Sequence, residues 1–304
     1  MTRAFFLRLS QSVALRQWME KSAWARGVTR RFIAGETLDE CVAVLRRLND
    51  AGLYANTTLL GEATPDGEGA AAVTAEYEVI VERLVSEGLK ANVALKLTHL
   101  GLVLGEDVAY THVERLVAKA GELGTFVRID MEQSEYVEVT LQIYERLRGA
   151  GHDGVGTVLQ SYLYRTPGDL ERLLPRRPNL RIVKGAYLEP ESVAYSDKRD
   201  VDRAYVELVE RGLREGAYIA VATHDETIIR EVQAFASREG IPRDRFEFQM
   251  LFGVRPALQR SIAADGYKVL VASPYGPDWY PYLMPRLAER PANLGFFLKN
   301  LVRR

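Results

Sequence analysis

The 304-residue chain carries one cysteine, four histidines and three tryptophans, and what these small numbers exclude is informative. A lone Cys41 rules out an intrachain disulfide framework and any CxxC redox or metal motif. It falls on the apolar face of a predicted helix and reads as core packing rather than a reactive thiol. His99, His112, His152 and His224 do not form a metal-ligand set, and His112 lies in a helical stripe where a core role fits better. Net charge is nearly absent as well: 40 Lys and Arg oppose 41 Asp and Glu, which argues against bulk nucleic-acid or membrane-surface binding. No apolar run reaches the roughly 18 residues of a membrane span. Arg8 interrupts the apolar N-terminal stretch, so the chain reads as cytoplasmic. The usual phosphate, zinc and nucleophile signatures are missing too: there is no GxGxxG after a strand, no P-loop, no HExxH and no GxSxG.

What is present is 47% hydrophobic and 9% aromatic, enough for one large folded core. Eight short segments rich in β-branched, Leu or aromatic residues recur: Tyr54–Leu60, Val93–Thr98, Thr125–Asp130, Val155–Tyr162, Leu180–Lys184, Tyr218–Thr223, Phe246–Leu251 and Tyr267–Ala272. Helical stripes lie between them, such as Tyr77, Ile80, Val81, Leu84 and Val85, then Val108, His112, Val113, Leu116 and Val117, then Val201, Tyr205, Leu208, Val209, Gly212 and Leu213. Thr37-Leu38-Asp39-Glu40 reads as a capping box opening a helix that ends before Gly52. Thr166-Pro167-Gly168-Asp169 reads as a cap with a proline at the first helical position. Residues 63–72 read as a flexible loop.

Alternating strands and helices imply parallel βαβ units, and eight of them at a spacing of roughly 30 residues predict an α/β fold, a (β/α)8 TIM-like barrel. A doubly wound open sheet is the competing architecture. Residues 1–36 predict an N-terminal helical arm outside the barrel, basic through Arg3, Arg8, Arg16, Arg26, Arg30 and Arg31, and residues 37–304 the barrel itself. A solvated face is the simpler reading of that arm, with contact to the inner face of the membrane left open.

Barrel chemistry sits at the C-terminal ends of strands, and here those ends are polar. They read Leu95-Lys96-Leu97-Thr98-His99, Val127-Arg128-Ile129-Asp130-Met131-Glu132, Leu159-Gln160-Ser161-Tyr162, Arg181-Ile182-Val183-Lys184-Gly185-Ala186-Tyr187, Val221-Ala222-Thr223-His224-Asp225 and Glu247-Phe248-Gln249-Met250-Leu251. One such residue is a structural ion pair; repetition at six ends predicts a polar site. Lys96, Arg128, Arg181, Lys184 and His224 face few acids beyond Asp130, Glu132 and Glu247, which predicts an electropositive cleft for a phosphate or carboxylate. On residues alone, a Schiff-base role for Lys96 or Lys184, as in a class I aldolase barrel, also stays open.

These strand ends resemble the FAD-dependent proline dehydrogenases, in particular the short monofunctional bacterial type of Deinococcus and Thermus. The resemblance rests on Leu95–Gly101, Arg128–Glu132, Gln160–Tyr162, Arg181–Tyr187, Ala222–Asp225, Phe248–Gly253 and Tyr282–Asn293, which run in order over nearly the whole barrel. It implies a distorted (β/α)8 barrel that holds FAD at its strand ends, oxidises L-proline to Δ1-pyrroline-5-carboxylate and passes electrons to a membrane quinone. Pyrroline-5-carboxylate dehydrogenase is then a candidate partner. By motif position, Asp130 and Arg181 would be catalytic. Lys96, Tyr187, Leu251, Pro285 and Arg286 would form the substrate site, with Lys96 and Arg286 on the proline carboxylate. Met131, Gln160, Lys184, Gly185, Ala186, Thr223, His224, Gln249 and Glu289 would serve the cofactor.

Two positions depart from the family pattern. Pro285 stands where the first of two adjacent arginines is expected, and Ala272 where a tyrosine is expected two residues before Pro274. Losing one bidentate donor costs roughly 2–4 kcal/mol when nothing compensates. The departures carry an expectation of weakened proline affinity with an intact flavin site. They also keep open a flavin-binding family member with weak or altered substrate use; Ala272 enlarges the pocket unless Tyr275, Tyr280 or Tyr282 fills the space.

Overall fold

Eight parallel strands close into a barrel in chain order: β1 (Tyr54–Thr57), β2 (Ala91–Leu95), β3 (Val127–Ile129), β4 (Val155–Gln160), β5 (Asn179–Val183), β6 (Tyr218–Ala222), β7 (Phe246–Leu251) and β8 (Val269–Ala272). They belong to a computed structural model that describes residues 30–280 and residue 282. Residues 1–29 of the expected arm, and Pro285, Arg286 and Glu289, lie outside the described residues. The barrel closes where β8 pairs with β1, setting Ala55 against Val271 and Asn56 against Ala272. Helix α1 (Leu38–Asp50) precedes β1. The connections carry α2 (Gly67–Ser86), α3 (Glu106–Glu122), α4 (Val137–Gly149), α5 (Thr166–Leu173), α6 (Lys198–Arg214), α7 (Glu226–Arg238) and α8 (Pro256–Ala264).

All eight predicted strands form, and the closed barrel replaces the open-sheet alternative. Several were read one to three residues too long at their C-terminal ends. The extra residues keep a strand-like composition while the backbone already turns into the mouth, as at the 3-10 turn Thr98–Leu100. Residues 63–72 are a second correction. Their Gly-rich half is the first turn of α2, where the Asp66 carboxylate accepts from the Gly69 amide at 2.8 Å. Thr166 does not cap α5 either; it lies inside the helix, and its hydroxyl donates to the Gln160 carbonyl at 2.6 Å. The box at α1 is shifted by one residue: Thr37 Oγ1 accepts from Glu40 N at 3.3 Å, but the Glu40 carboxylate accepts from Glu36 N at 2.8 Å.

Side-chain alternation along each strand sorts the barrel into two interiors. One set points outward against the helices: Val93, Leu95, Ile129, Leu180, Ile182, Ile219, Val221, Phe246, Phe248 and Val271 join Leu84, Leu116, Tyr144, Tyr205 and Phe235 in one apolar core. Each fully buried aliphatic or aromatic side chain there contributes roughly 1.5–3 kcal/mol. Cys41 belongs to the same core, fully buried with its Sγ 3.2 Å from Thr57 Oγ1, and burial pushes its thiol up to about 12. The alternate set, including Asn56, Asn92, Arg128, Arg181, Glu247 and Gln249, points into the barrel and is polar. Small partners make room for it: Gly156 lies in register with Arg128, and Ala220 with both Arg181 and Glu247.

Gly156 is obligatory for that filling. A Cβ there would sit 2.5 Å from Arg128 Nη1 and 2.5 Å from the Asn179 carbonyl oxygen. Gly156→Ala is therefore expected to destabilise the barrel by about 1–3 kcal/mol, the usual cost of overpacking. A urea midpoint equal to that of the unmodified protein would refute this.

Candidate active site

Arg181, in the middle of β5, organises the upper half of the barrel interior. Its Nη1 donates to Asp130 Oδ1 at 2.6 Å, its Nε to Gln249 Oε1 at 2.6 Å and its Nη2 to Asn56 Oδ1 at 3.4 Å. Asp130 follows β3 directly, and its amide still donates across to the Leu95 carbonyl at 2.8 Å, which fixes the carboxylate at the mouth. Asn56 in turn donates to Asn92 Oδ1 at 2.5 Å. The structure thus brings the two expected catalytic residues, Asp130 and Arg181, into one ion pair with expected cofactor residue Gln249 beside them.

A second polar layer lies below. Arg128 is buried, and its guanidinium donates to the carbonyls of Thr157 and Asn179 at 2.9 and 2.8 Å and to Asn179 Oδ1 at 2.5 Å. Burial, and then the neighbouring Arg181 charge, pull its pKa down to about 9, so it stays protonated at neutral pH. Glu247 binds Lys268, Tyr218 and Gln249. Arg128 is thus a structural cation well inside the barrel, not part of the mouth.

At the β2 and β3 side of the mouth, Lys96 is half-buried directly after its strand. Its neighbour Glu132 is buried and accepts from Thr98 N at 3.1 Å and Thr98 Oγ1 at 2.6 Å, while burial pushes its carboxyl up. Gln160, at the end of β4, donates to the Glu132 carbonyl at 3.2 Å. Its own Oε1 is buried with no hydrogen-bond partner among the described residues. Met131 is buried, with its side chain packed in the apolar core.

The β5 and β6 side corrects the expected electropositive cleft. Lys184 Nζ is held 2.5 Å from Asp202 Oδ1 and 3.4 Å from Asp225 Oδ2, so two carboxylates neutralise it. His224 Nε2 accepts from the Leu251 amide at 2.9 Å and presents no cation through that atom. Thr223 Oγ1 accepts from Asp225 N at 3.1 Å, ordering the turn into α7. Gly185 follows at φ +119, and a Cβ there would lie 2.2 Å from the Tyr162 ring, so only glycine lets the chain pass. Ala186 is exposed and Tyr187 half-buried on the loop beyond. That loop is pinned to the connection after β3 by Glu189, which accepts from Ser134 N at 2.7 Å and Ser134 Oγ at 2.5 Å.

Ala272 ends β8 in register with Asn56 on one side and Leu251 on the other, both of which line the interior. Tyr275 does not refill the space. It is 2% exposed and packed in the apolar core with Cys41, outside the barrel interior. Asn56, Asn92 and Asp202 were missed by sequence reasoning. A mid-strand asparagine in Tyr54-Ala55-Asn56-Thr57 was a usable signal of inward polarity; Asp202 on α6 offered none.

A family model described as Proline dehydrogenase matches residues 41–299. Proline dehydrogenase 1 of Bacillus subtilis subsp. natto is 40% identical over 304 residues, covering 100% of both chains. Proline dehydrogenase of Deinococcus radiodurans is 41% identical over 305 residues, covering 99% of this chain and 98% of the other. The crystal structure of proline utilization A (PutA) from Bdellovibrio bacteriovorus inactivated by N-propargylglycine superposes with a TM-score of 0.82 at 24% identity. It shares the fold over 87% of this chain, which spans 33% of that one.

His99 yields a pH test. It is buried, and burial, then the Lys96 charge, push its pKa down to about 4 from an ordinary 6.5. Between those values the unfolded chain binds a proton that the native state does not, so stability is full above 6.5 and falls as pH drops toward 4. The loss is on the order of 3 kcal/mol. His99→Gln is expected to flatten the stability slope across that window in urea titrations; an unchanged slope would refute it.

Proposed function

The chain belongs to the proline dehydrogenase family, and we propose that it oxidises L-proline to Δ1-pyrroline-5-carboxylate with FAD as its cofactor. The observation that carries this reading is the match to proline dehydrogenases at 40% identity over 100% of both chains. The reaction removes a hydride from C5 and a proton from the amine nitrogen, leaving a C=N bond. FAD, when bound, accepts that hydride.

Two features of the mouth support a flavin nucleotide there. Gln160 keeps a buried carbonyl oxygen without a partner among the described residues, and at Gly185 the backbone is bare at a point where no side chain fits. In this reading Gln160, Lys184, Gly185, Ala186, Thr223, His224 and Gln249 hold the cofactor, with Glu289 supporting it. Met131 contributes through its backbone, since its side chain is committed to the core.

Lys96 and Arg286 bind the substrate carboxylate, and two cations on one carboxylate fix the ring so that C5 faces the hydride acceptor. Tyr187, Leu251 and Pro285 complete the pocket. Arg181 holds positive charge where negative charge accumulates during the reaction, and Asp130 keeps that guanidinium in place. The amine enters unprotonated, because a hydride does not leave next to an ammonium. Electrons then pass to a membrane quinone and the product to pyrroline-5-carboxylate dehydrogenase. The barrel works in the cytoplasm, and no described helix is long and apolar enough to cross a membrane.

Full-length identity does not favour a flavin protein with weak or altered proline use. Nor does a Schiff-base lysine fit Lys184, whose amine is bound by two carboxylates.

The purified protein is expected to show a flavin spectrum that bleaches on anaerobic addition of L-proline. Lys96→Met is expected to raise KM for proline roughly 10- to 100-fold while flavin content stays constant, the signature of a lost charge-assisted bond to substrate. A flavin spectrum unmoved by proline would sink the reading.

A further inference from the structure

Both ends of the Gln249 amide are committed. Its Oε1 accepts from Arg181 Nε at 2.6 Å, and its Nε2 donates to Glu247 Oε1. An amide offers an acceptor at one end and donors at the other, so the end that faces Arg181 is chosen by whatever meets the opposite end. That group is Glu247, one inward step earlier on β7, and an ionised carboxylate only accepts. Glu247 is itself tied down: Lys268 Nζ lies 2.7 Å from Oε2, and Tyr218 OH donates to the same oxygen at 2.9 Å. Burial opposes its charge, but Lys268 and the bonds from Lys268, Gln249 and Tyr218 prevail and hold the carboxyl below its ordinary range.

We infer that Glu247 is a positioning residue for the reaction: acting through Gln249, it keeps an acceptor on Arg181 Nε and so aims the guanidinium at Asp130. The inference rests on the reading of Arg181 as part of the catalytic site. Arg181 reaches Asp130, Asn56 and Gln249 with three different nitrogens, which fixes both the plane and the rotation of its fork. Release of Nε leaves the group free to turn about its own long axis, and misplacement of a charge by a fraction of its length weakens catalysis more than binding. Lys268 and Tyr218 sit at the N-terminal side of the barrel, so a contact far from the mouth sets the geometry at it.

Glu247→Gln tests this. Lys268 and Tyr218 are donors, so the new amide turns its oxygen toward them and its NH2 toward Gln249. Gln249 then turns its own NH2 toward Arg181, and Nε loses its acceptor. In the flavin-loaded enzyme kcat for proline is expected to fall roughly 10- to 100-fold with KM little changed. The Arg181 Nε–H resonance, identified by its absence in Arg181→Lys, is expected to lose protection from solvent exchange.

The exchanged pair Glu247→Gln with Gln249→Glu again gives Arg181 Nε an acceptor at position 249, and Lys268 and Tyr218 an acceptor at position 247, with only the bond between 247 and 249 reversed. Arg181 donates to Glu at 249, the amide at 247 donates to that same carboxylate, and its oxygen accepts from Lys268 and Tyr218. Recovery of both kcat and Nε–H protection in this double variant supports the relay, because a general loss of packing would not be repaired by exchanging the two groups. Glu247→Gln with unaltered kcat and protection, or an exchanged pair no better than the single variant, overturns it. If Glu247→Gln does not fold, Gln249→Met removes the relay while leaving the Glu247, Lys268 and Tyr218 cluster whole. It must then lower kcat and expose Nε–H, and failure to do so overturns the inference. Undiminished proline oxidation by Arg181→Lys would instead refute the catalytic reading of Arg181, while the exchange data still decide the relay.

Discussion

A guanidinium inside a barrel must find acceptors for its N–H groups or pay heavily in lost solvation, and this requirement at Arg181 shapes the interior around it. The acceptors come from three other strands: Asp130 beyond β3, Gln249 on β7 and Asn56 on β1. None of these satisfies it alone. Because each acceptor is itself oriented by a further partner, the polar filling extends from the mouth through Gln249 and Glu247 to Lys268, and sideways from Asn56 to Asn92. Replacement of one member leaves the next with an unpaired buried group, which is why such a network costs more to break than its single bonds contribute.

Long polar side chains inside a closed ring of strands need empty neighbours, and the register supplies them. Ala220 on β6 stands between Arg181 and Glu247, and Gly156 on β4 stands beside Arg128. The same alternation that sends Arg181 inward sends Leu180 and Ile182 outward into the apolar core. A strand such as Asn179–Val183 therefore carries two burdens at once, and a slip of one residue would bury a cation among the helices and expose two aliphatic chains to the polar interior.

This division explains what was legible beforehand. Apolar alternation and helical stripes are local patterns, so the eight strands, the order of helices and the buried faces of α2, α3 and α6 could be read along the chain. The polar strand ends were visible for the same reason, whereas Asp130 and Arg181 were singled out by the resemblance and paired only in the structure. What a local pattern does not carry is depth and partnership. Arg128 and Arg181 look alike within their strands, yet one faces backbone carbonyls deep in the barrel and the other a carboxylate at the mouth, a difference made by Gly156 on another strand. Asn56 meets Arg181 across 125 residues, and Asp202 reaches Lys184 from a helix whose periodicity marks it only as a polar position. Punctuation misled at residues 63–72, where glycines beside Asp66 open a helix because the carboxylate satisfies the free amide of Gly69 in its first turn.

Most charges among the described residues of the mouth are paired. Arg181 has Asp130, and Lys184 has Asp202 and Asp225, so these cations are matched by acids rather than gathered against an incoming anion. Paired charges of this kind contribute little net field, and their value lies in direction: each fixes a donor or acceptor at one place in a low-dielectric interior. A mouth built this way distinguishes ligands by where their polar atoms fall, with Lys96 an expected site cation that forms no ion pair among the described residues. Geometry held by buried partners, rather than accumulated positive charge, is accordingly what the barrel offers to the chemistry at its C-terminal end.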